Sequence, residues 1–198
     1  MPGQIKIDDG SGNYTILTNA GSLGSDKTIT IPNTTGTMAL TSDITSGLAE
    51  ADLWILTTNI NSNGILTNFS RPSATLVSYK GTGMSVSSGI WTFPSTGYWL
   101  VMVTGYLASP ASGQGSAQII WQSTNDNFSS SDNIARNNMY ITSGNVYDTT
   151  FAQTVIDITD TSNDKIRFDF TKGGDGQIQG ATSVENASVF GFYKLGET

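Results

Sequence analysis

Apolar and polar positions alternate over short distances along this chain, and clusters of Gly, Asn, Asp or Pro interrupt them every few residues. That is a strand-and-turn pattern. Residues 1–45 contain "QIKI", "YTIL", "KTITI" and "TMAL", separated by turn-rich stretches such as "DDGSGN" and "PNTTG". In "KTITI", Ile29 and Ile31 share one face and Thr28 and Thr30 the other. So few apolar residues cannot build an independent core, so docking on another protein, or winding with copies of itself, is expected to stabilise this segment. "TSDITSGLAEAD" (41–52) reads as a hinge or a single helical turn, with no cap or heptad to extend it. From "LWILTTNI" onward the pattern predicts one domain, with strands around 53–60, 74–80, 89–93, 97–107, 116–123, 136–142, 149–159, 165–171 and 187–195. Many short strands, turn-rich connections and no long helix predict a β-sandwich or barrel.

The strands differ in their faces. "KIRFDF" alternates cleanly, with Ile166, Phe168 and Phe170 inward and Lys165, Arg167 and Asp169 toward water. "YWLVMVTGYL" is apolar on both sides: Tyr98, Leu100, Met102 and Tyr106 lie on one face, and Trp99, Val101, Val103 and Leu107 on the other. "SVFGFYKL" behaves likewise, with Val189, Tyr193 and Leu195 opposite Phe190 and Phe192. An antiparallel strand apolar on both faces must be covered on both, so a second layer is expected beyond the sandwich core, supplied by another subunit.

Composition supports the β reading. Charged residues are only 13% of the 198, with 22 glycines and many hydroxyl and amide side chains. Four Trp, seven Tyr and eight Phe supply enough burial to exclude disorder. A net charge of −7 argues against duplex nucleic acid or an anionic membrane as partner. Having neither Cys nor His excludes disulfides and thiolate metal sites, and removes the commonest general base. The N-terminal "MPGQIKIDDG" does not read as a secretory leader. The longest continuous apolar run, "WLVMV", is far below the ~18 residues of a membrane helix, so no membrane insertion is expected.

Candidate chemistry is sparse. The aromatics Trp91, Phe93, Tyr98 and Trp99 could line a pocket, but the two-sided pattern favours core and subunit packing. Trp121 reads as core rather than a sugar-stacking platform. "DDGSGN" lacks the spacing and closing Glu of an EF-hand and reads as a turn between two strands. "KGGDGQIQG" (172–180) lacks a Walker lysine-serine pair and reads as a mobile loop, with Lys172, Asp175 and Gln177 as a contact site at the sandwich tip. Asp157, Asp160, Asp164 and Asp169 show no pairing across a groove and read as surface solvation, and Arg71 before Pro72 reads as the start of a strand. No cofactor and no metal are expected.

"GIWTFPSTGYW" resembles the signature G-x-(aromatic)-x-x-P-x-x-G-x-Y of the C1q/tumour-necrosis-factor-like jelly roll, through Gly89, Trp91, Pro94 and Gly97, with Tyr98 one place ahead of the signature's tyrosine. "ASVFGFYKLG" looks like that family's closing strand, with Ser188, Phe190 and Gly191, the glycine one place early. "DLWILTTNI", "GTGMSVSSGIWTFPSTGYW", "DITDTSNDKIRFDF" and "KLGET", in that order, resemble C1q-like structural proteins of marine tailed phages. The segment ending "TMALTSDI" is similar to segments of phage fibre and appendage proteins. No collagen-like Gly-X-Y stalk is present, so the secreted animal role is not carried over.

The resemblance implies an all-β chain: a short N-terminal β anchor over 1–45, a linker over 46–52, and a trimeric antiparallel jelly-roll head over 53–198. Trp91, Phe93, Tyr98, Trp99, Val101, Val103, Phe190 and Phe192 are then expected at the core and three-fold interface, so Trp99→Asp or Tyr98→Asp should break the trimer. Ile29, Ile31, Met38 and Leu40 are expected to hold the virion anchor. The implied role is a non-enzymatic tail fibre or appendage on the virion exterior, with other virion proteins and a host-surface glycan or protein as partners. A capsid decoration or neck connector without receptor role, and a fibre-borne polysaccharide depolymerase, are the alternatives.

Overall fold

A computed structural model of the chain describes residues 5–8, 10–12, 14–17, 47–73, 78–109, 115–142, 145–182, 184–185 and 187–198. The chain divides into two units, Met1–Asp43 and Ile44–Thr198. In the first, β1 (Ile5–Asp8) and β2 (Tyr14–Leu17) pair antiparallel, with Ile5 opposite Leu17. "DDGSGN" is thus the connection between two short strands, as its composition predicts. The anchor residues Ile29, Ile31, Met38 and Leu40 lie outside the described residues.

The second unit contains β3 (Ala51–Leu56), β4 (Gly64–Ile65), β5 (Phe69–Ser70), β6 (Ser85–Ser87), β7 (Ile90–Thr92), β8 (Gly97–Ser109) and β9 (Gly115–Thr124). It continues with β10 (Asp132–Ile141), β11 (Val146–Ile158), β12 (Lys165–Gly174), β13 (Gln177–Ile178) and β14 (Val189–Gly196). Among the described residues there is no helix. One sheet runs β10-β9-β12-β7-β6, with β4 also on β12; the other runs β11-β8-β14-β3-β5, with β13 also on β8. Every pairing is antiparallel. The chain passes repeatedly between the sheets, among other places at β7–β8, β8–β9, β10–β11 and β11–β12, and the two layers enclose a single core.

That core is aromatic. Trp91 packs on Trp54, Phe69, Phe168 and Phe192, with ring centroids 5.2, 4.8, 6.2 and 4.8 Å away. Trp121 packs on Phe168 at 5.6 Å, and Phe93 on Trp99 at 5.2 Å. Edge-to-face pairs of this kind add to the area they bury. Trp121 is therefore core, and the clean alternation of "KIRFDF" holds for Ile166, Phe168 and Phe170.

Several expectations need correction. β3 begins at Ala51, so Ala51 and Asp52 belong to the sheet and not to a linker. Glu50 is drawn in as well, its carbonyl accepting the Lys194 N–H at 3.0 Å. The strand expected over 74–80 reduces, in its described part, to one bridge between Lys80 and Ala51. Arg71 directly follows β5, and the residues after Ser73 that it was expected to lead into lie in part outside the described residues. Lys165, expected in water, is buried: β12 is a central strand, and the Lys165 ammonium donates to Thr92 Oγ1 and the Thr161 carbonyl.

"KGGDGQIQG" is not a loop. Lys172–Gly174 complete β12 opposite Ala117–Gly115, and Gln177 and Ile178 pair with Ala108 and Leu107 of β8. β8 extends beyond β14, and its last residues still have backbone groups to satisfy on that edge. Asp175 and Gly176 alone are left to make the turn.

Candidate assembly surface

The stretch "GIWTFPSTGYW" owes its glycines to close backbone approach. Gly89 has φ of 79°, and a Cβ there would strike the Leu66 carbonyl. Gly97 has φ of 129°, and a Cβ there would strike the Gly196 carbonyl. Neither place accepts an L side chain without strain. Between them the turn carries Trp91 and Phe93 into the core and starts β8.

The strand faces then sort the expected interface residues. Trp91, Phe93, Trp99, Val101, Val103, Phe190 and Phe192 are all sealed inside the single chain. Tyr98 alone of the eight is outside, 44% exposed. Trp99→Asp would therefore break the fold before it could report on assembly. Tyr98 remains a surface residue.

On the outer face of the β11-β8-β14-β3 sheet, residues opposite one another form transverse rows. Val155 stands opposite Leu100, which stands opposite Tyr193. Gln153, Met102, Gly191 and Leu53 form the next row, and Phe151, Thr104 and Val189 another. Leu53, Leu100, Met102, Val189 and Tyr193 are half-buried, while Phe151 is 55% and Val155 53% exposed. Asp157, opposite Tyr98, is the carboxylate on these rows. Each apolar side chain left in water forgoes about 1.5–3 kcal/mol of burial. A contiguous face of this kind on a well-packed domain is a candidate contact surface. The two-sided reading of "YWLVMVTGYL" and "SVFGFYKL" predicted it, but Phe151 and Val155 were missed. Their signal was present: "FAQTVI" places both on one face of a strand, four residues apart.

The charged groups nearby are structural. Arg71 Nε and Nη2 donate to Asp52 Oδ1 and Oδ2 at 2.9 and 2.7 Å, and Nη2 also donates to the Met84 carbonyl at 3.1 Å. Its guanidinium lies 4.5 Å from the Trp54 ring centroid and 4.2 Å from that of Tyr79. Donating to the Asp52 carboxylate raises the Arg71 pKa further. Asp52 also accepts the Met84 N–H at 2.8 Å, and Glu50 accepts those of Thr82 and Gly83 at 3.1 Å each. Two carboxylates, one on β3 and one on the residue before it, thus pin the 82–84 stretch.

Asp164, expected as a solvated surface group, is buried. Its Oδ2 accepts the N–H groups of Thr159 and Asp160 at 2.7 and 2.8 Å, organising the β11–β12 turn. Asp160 accepts from the Ser162 N–H and the Asn163 amide, which hold its pKa below the usual carboxylate value. Asp169 is half-buried within β12. Of the residues expected to make a contact site, Asp175 is exposed while Lys172 and Gln177 are half-buried in strands.

No known protein family matches this sequence, and no curated protein matches it. Solved structures match its fold. One is the Eiger TNF of S. frugiperda, 11% identical, covering 75% of this chain and 95% of its own with a TM-score of 0.55. Murine APRIL at pH 8.5 is 12% identical, covering 74% of this chain and 98% of its own with a TM-score of 0.52. Murine APRIL at pH 5.0 is 15% identical, covering 74% and 99%, also with a TM-score of 0.52. Identities this low speak to fold alone, and the fold is that of a TNF/C1q-like antiparallel jelly roll.

Proposed function

We propose that this chain is a non-enzymatic structural protein of a virion exterior, a homotrimeric fibre or appendage whose head contacts the host surface. The observation that carries self-association is the apolar outer face of the β11-β8-β14-β3 sheet, with Phe151 and Val155 more than half exposed. Further copies of the same chain are the natural cover for it, and three of them arranged head-to-tail about a three-fold axis close a ring without leaving an edge. The virion setting is supported by the ordered resemblance of the motifs to marine phage structural proteins. Residues 1–45 attach the head to other virion proteins in this reading. Several copies multiply a weak contact through effective concentration.

Light scattering of the purified protein at micromolar concentration should give three chain masses. A stable, folded monomer would remove the trimer. Imaging of an intact particle separates tail from capsid: density on the capsid with none on the tail would replace the adhesive fibre by a decoration or connector.

A second reading, a depolymerase, has one observation in its favour. Asp132 and Asp157 line the same cleft of about 230 Å³, beside Lys165. Glycoside hydrolysis uses two carboxyl groups facing one bond. Absence of activity on host polysaccharide, with Asp157→Asn as control, would dismiss it.

A further inference from the structure

Two depressions share Tyr106 as a wall, toward the end of the β8–β11 ladder away from Tyr98. One, of about 550 Å³, is lined by Tyr106, Tyr147, Asn59, Gln179 and Glu185, with backbone from Gly180. The other, of about 300 Å³, runs past Thr149 to Thr104 and Val189, which belong to the assembly face, so the first depression is the one open to a ligand. The Tyr106 and Tyr147 rings lie 6.0 Å apart, tilted by 31°, and Tyr147 is half exposed.

Gln179 is the unusual residue here. Its backbone is fully used: its N–H donates to the Tyr106 carbonyl at 2.8 Å, and its carbonyl accepts the Ser188 N–H at 2.9 Å. Its side chain is buried, at 8% exposure for the residue, yet among the described residues Nε2 has no hydrogen-bond partner. A buried amide without a partner destabilises a fold and calls for an explanation. Asn59 Oδ1 accepts the Gly180 N–H at 2.9 Å, which fixes that amide and leaves its Nδ2 as a second donor. Glu185 contributes a carboxylate acceptor. Among the described residues no Lys or Arg stands on these walls.

Aromatic faces, amide donors and one carboxylate suit a single chemistry. The C–H face of a pyranose stacks on an aromatic ring, while its hydroxyls take up directed donors and acceptors. The lone carboxylate and the lack of a cation disfavour acidic sugars. We infer that the groove around Tyr106, Tyr147 and Gln179 is a binding site for an uncharged pyranose residue of a surface polysaccharide. The inference rests on the adhesive reading for the source of the sugar, but not for the site itself.

The test uses the intact protein. Ligand-observed NMR and calorimetric titration with methyl glucoside, methyl galactoside and N-acetylglucosamine should show binding of at least one. N-acetylneuraminic acid should not bind. Tyr147→Ala and Gln179→Met should each weaken binding about tenfold, the loss expected for one stacking or hydrogen-bonding contact. Tyr147→Phe, which keeps the ring, should retain most of it. Gln179→Met should also leave Tm equal or higher, since it removes an unmet donor, a result that a merely structural glutamine would not give.

Absence of binding by all three neutral sugars, or unchanged affinity in both Tyr147→Ala and Gln179→Met, would overturn the site. Host-cell adhesion separates the two readings. Adhesion that survives both variants defeats the groove and spares the adhesive role. Sugar binding without adhesion does the reverse.

Discussion

Asn137 is buried in the core with its amide fully engaged. Its Nδ2 donates to the carbonyls of Val103 and Thr150 at 3.1 and 3.2 Å, and its Oδ1 accepts Trp121 Nε1–H at 2.9 Å. One side chain on β10 therefore ties β9 in its own sheet to β8 and β11 in the other. Removing it strands a buried indole N–H and weakens two carbonyls, at about 1–3 kcal/mol for each group left unmet. Asn137→Leu is expected to cost roughly 3 kcal/mol in denaturant unfolding, despite being the more hydrophobic residue. At the surface, Asp126 is held down to about 2, first by the Ser130 hydroxyl and then by Thr124. Unfolded, its carboxyl titrates near ~3.9. Between these values the unfolded chain binds more protons, so this contribution is fully present above the unfolded value and disappears as pH falls through about 2. Asp126→Asn should flatten the loss of stability over that window, measured by urea unfolding at stepped pH.

At the scale of elements, β8 shows how a strand serves two masters. Trp99, Val101, Val103 and Leu107 face the core, and Tyr98, Leu100 and Met102 face outward. β11 divides the same way: Ala152 and Ile156 pack on the core, and Phe151 and Val155 stand outside. Substitutions on the two faces should part company. Trp99→Ala leaves a large cavity, costing about 3–5 kcal/mol and lowering Tm in any oligomeric state. Phe151→Asp combined with Val155→Asp should instead leave the monomer's circular dichroism intact and reduce the mass by light scattering to one chain. The long strands were legible because apolar patterning marks each of them over many residues. β4, β5, β6 and β13 were not, having two or three residues each. A strand that short has no period of its own, and its partner's free backbone edge defines it.

For the whole molecule, the sandwich closes within the second unit. β3 and β14 pair from Ile55–Val189 to Ala51–Tyr193, so the head's first strand is joined to its last. Deletion of residues 1–45 should leave Tm and the β-type circular dichroism spectrum of the head unchanged. On the proposed function, it should abolish incorporation into particles. Loss of folding on deletion would show that the first unit completes the head. The proposed trimer closure and the proposed adhesion through several equivalent grooves belong to assembled copies, and the light-scattering and adhesion measurements address them at that level.

The sequence by itself determined the all-β class, the aromatic core around Trp91 and Trp121, and the presence of strands apolar on both sides. Each of these is written in residues one or two positions apart, because a strand's side chains alternate with a fixed local period. The tertiary structure alone decided which face of β8 is inside. It also decided that Arg71 locks onto Asp52 across 19 positions, that Asn137 spans the two sheets, and that Lys165 and Asp164 are buried. The same holds for the groove, where Tyr106, Tyr147 and Gln179 meet from three strands or their ends. Such neighbours depend on sheet order and register, which many distant backbone pairings fix together and no local pattern records.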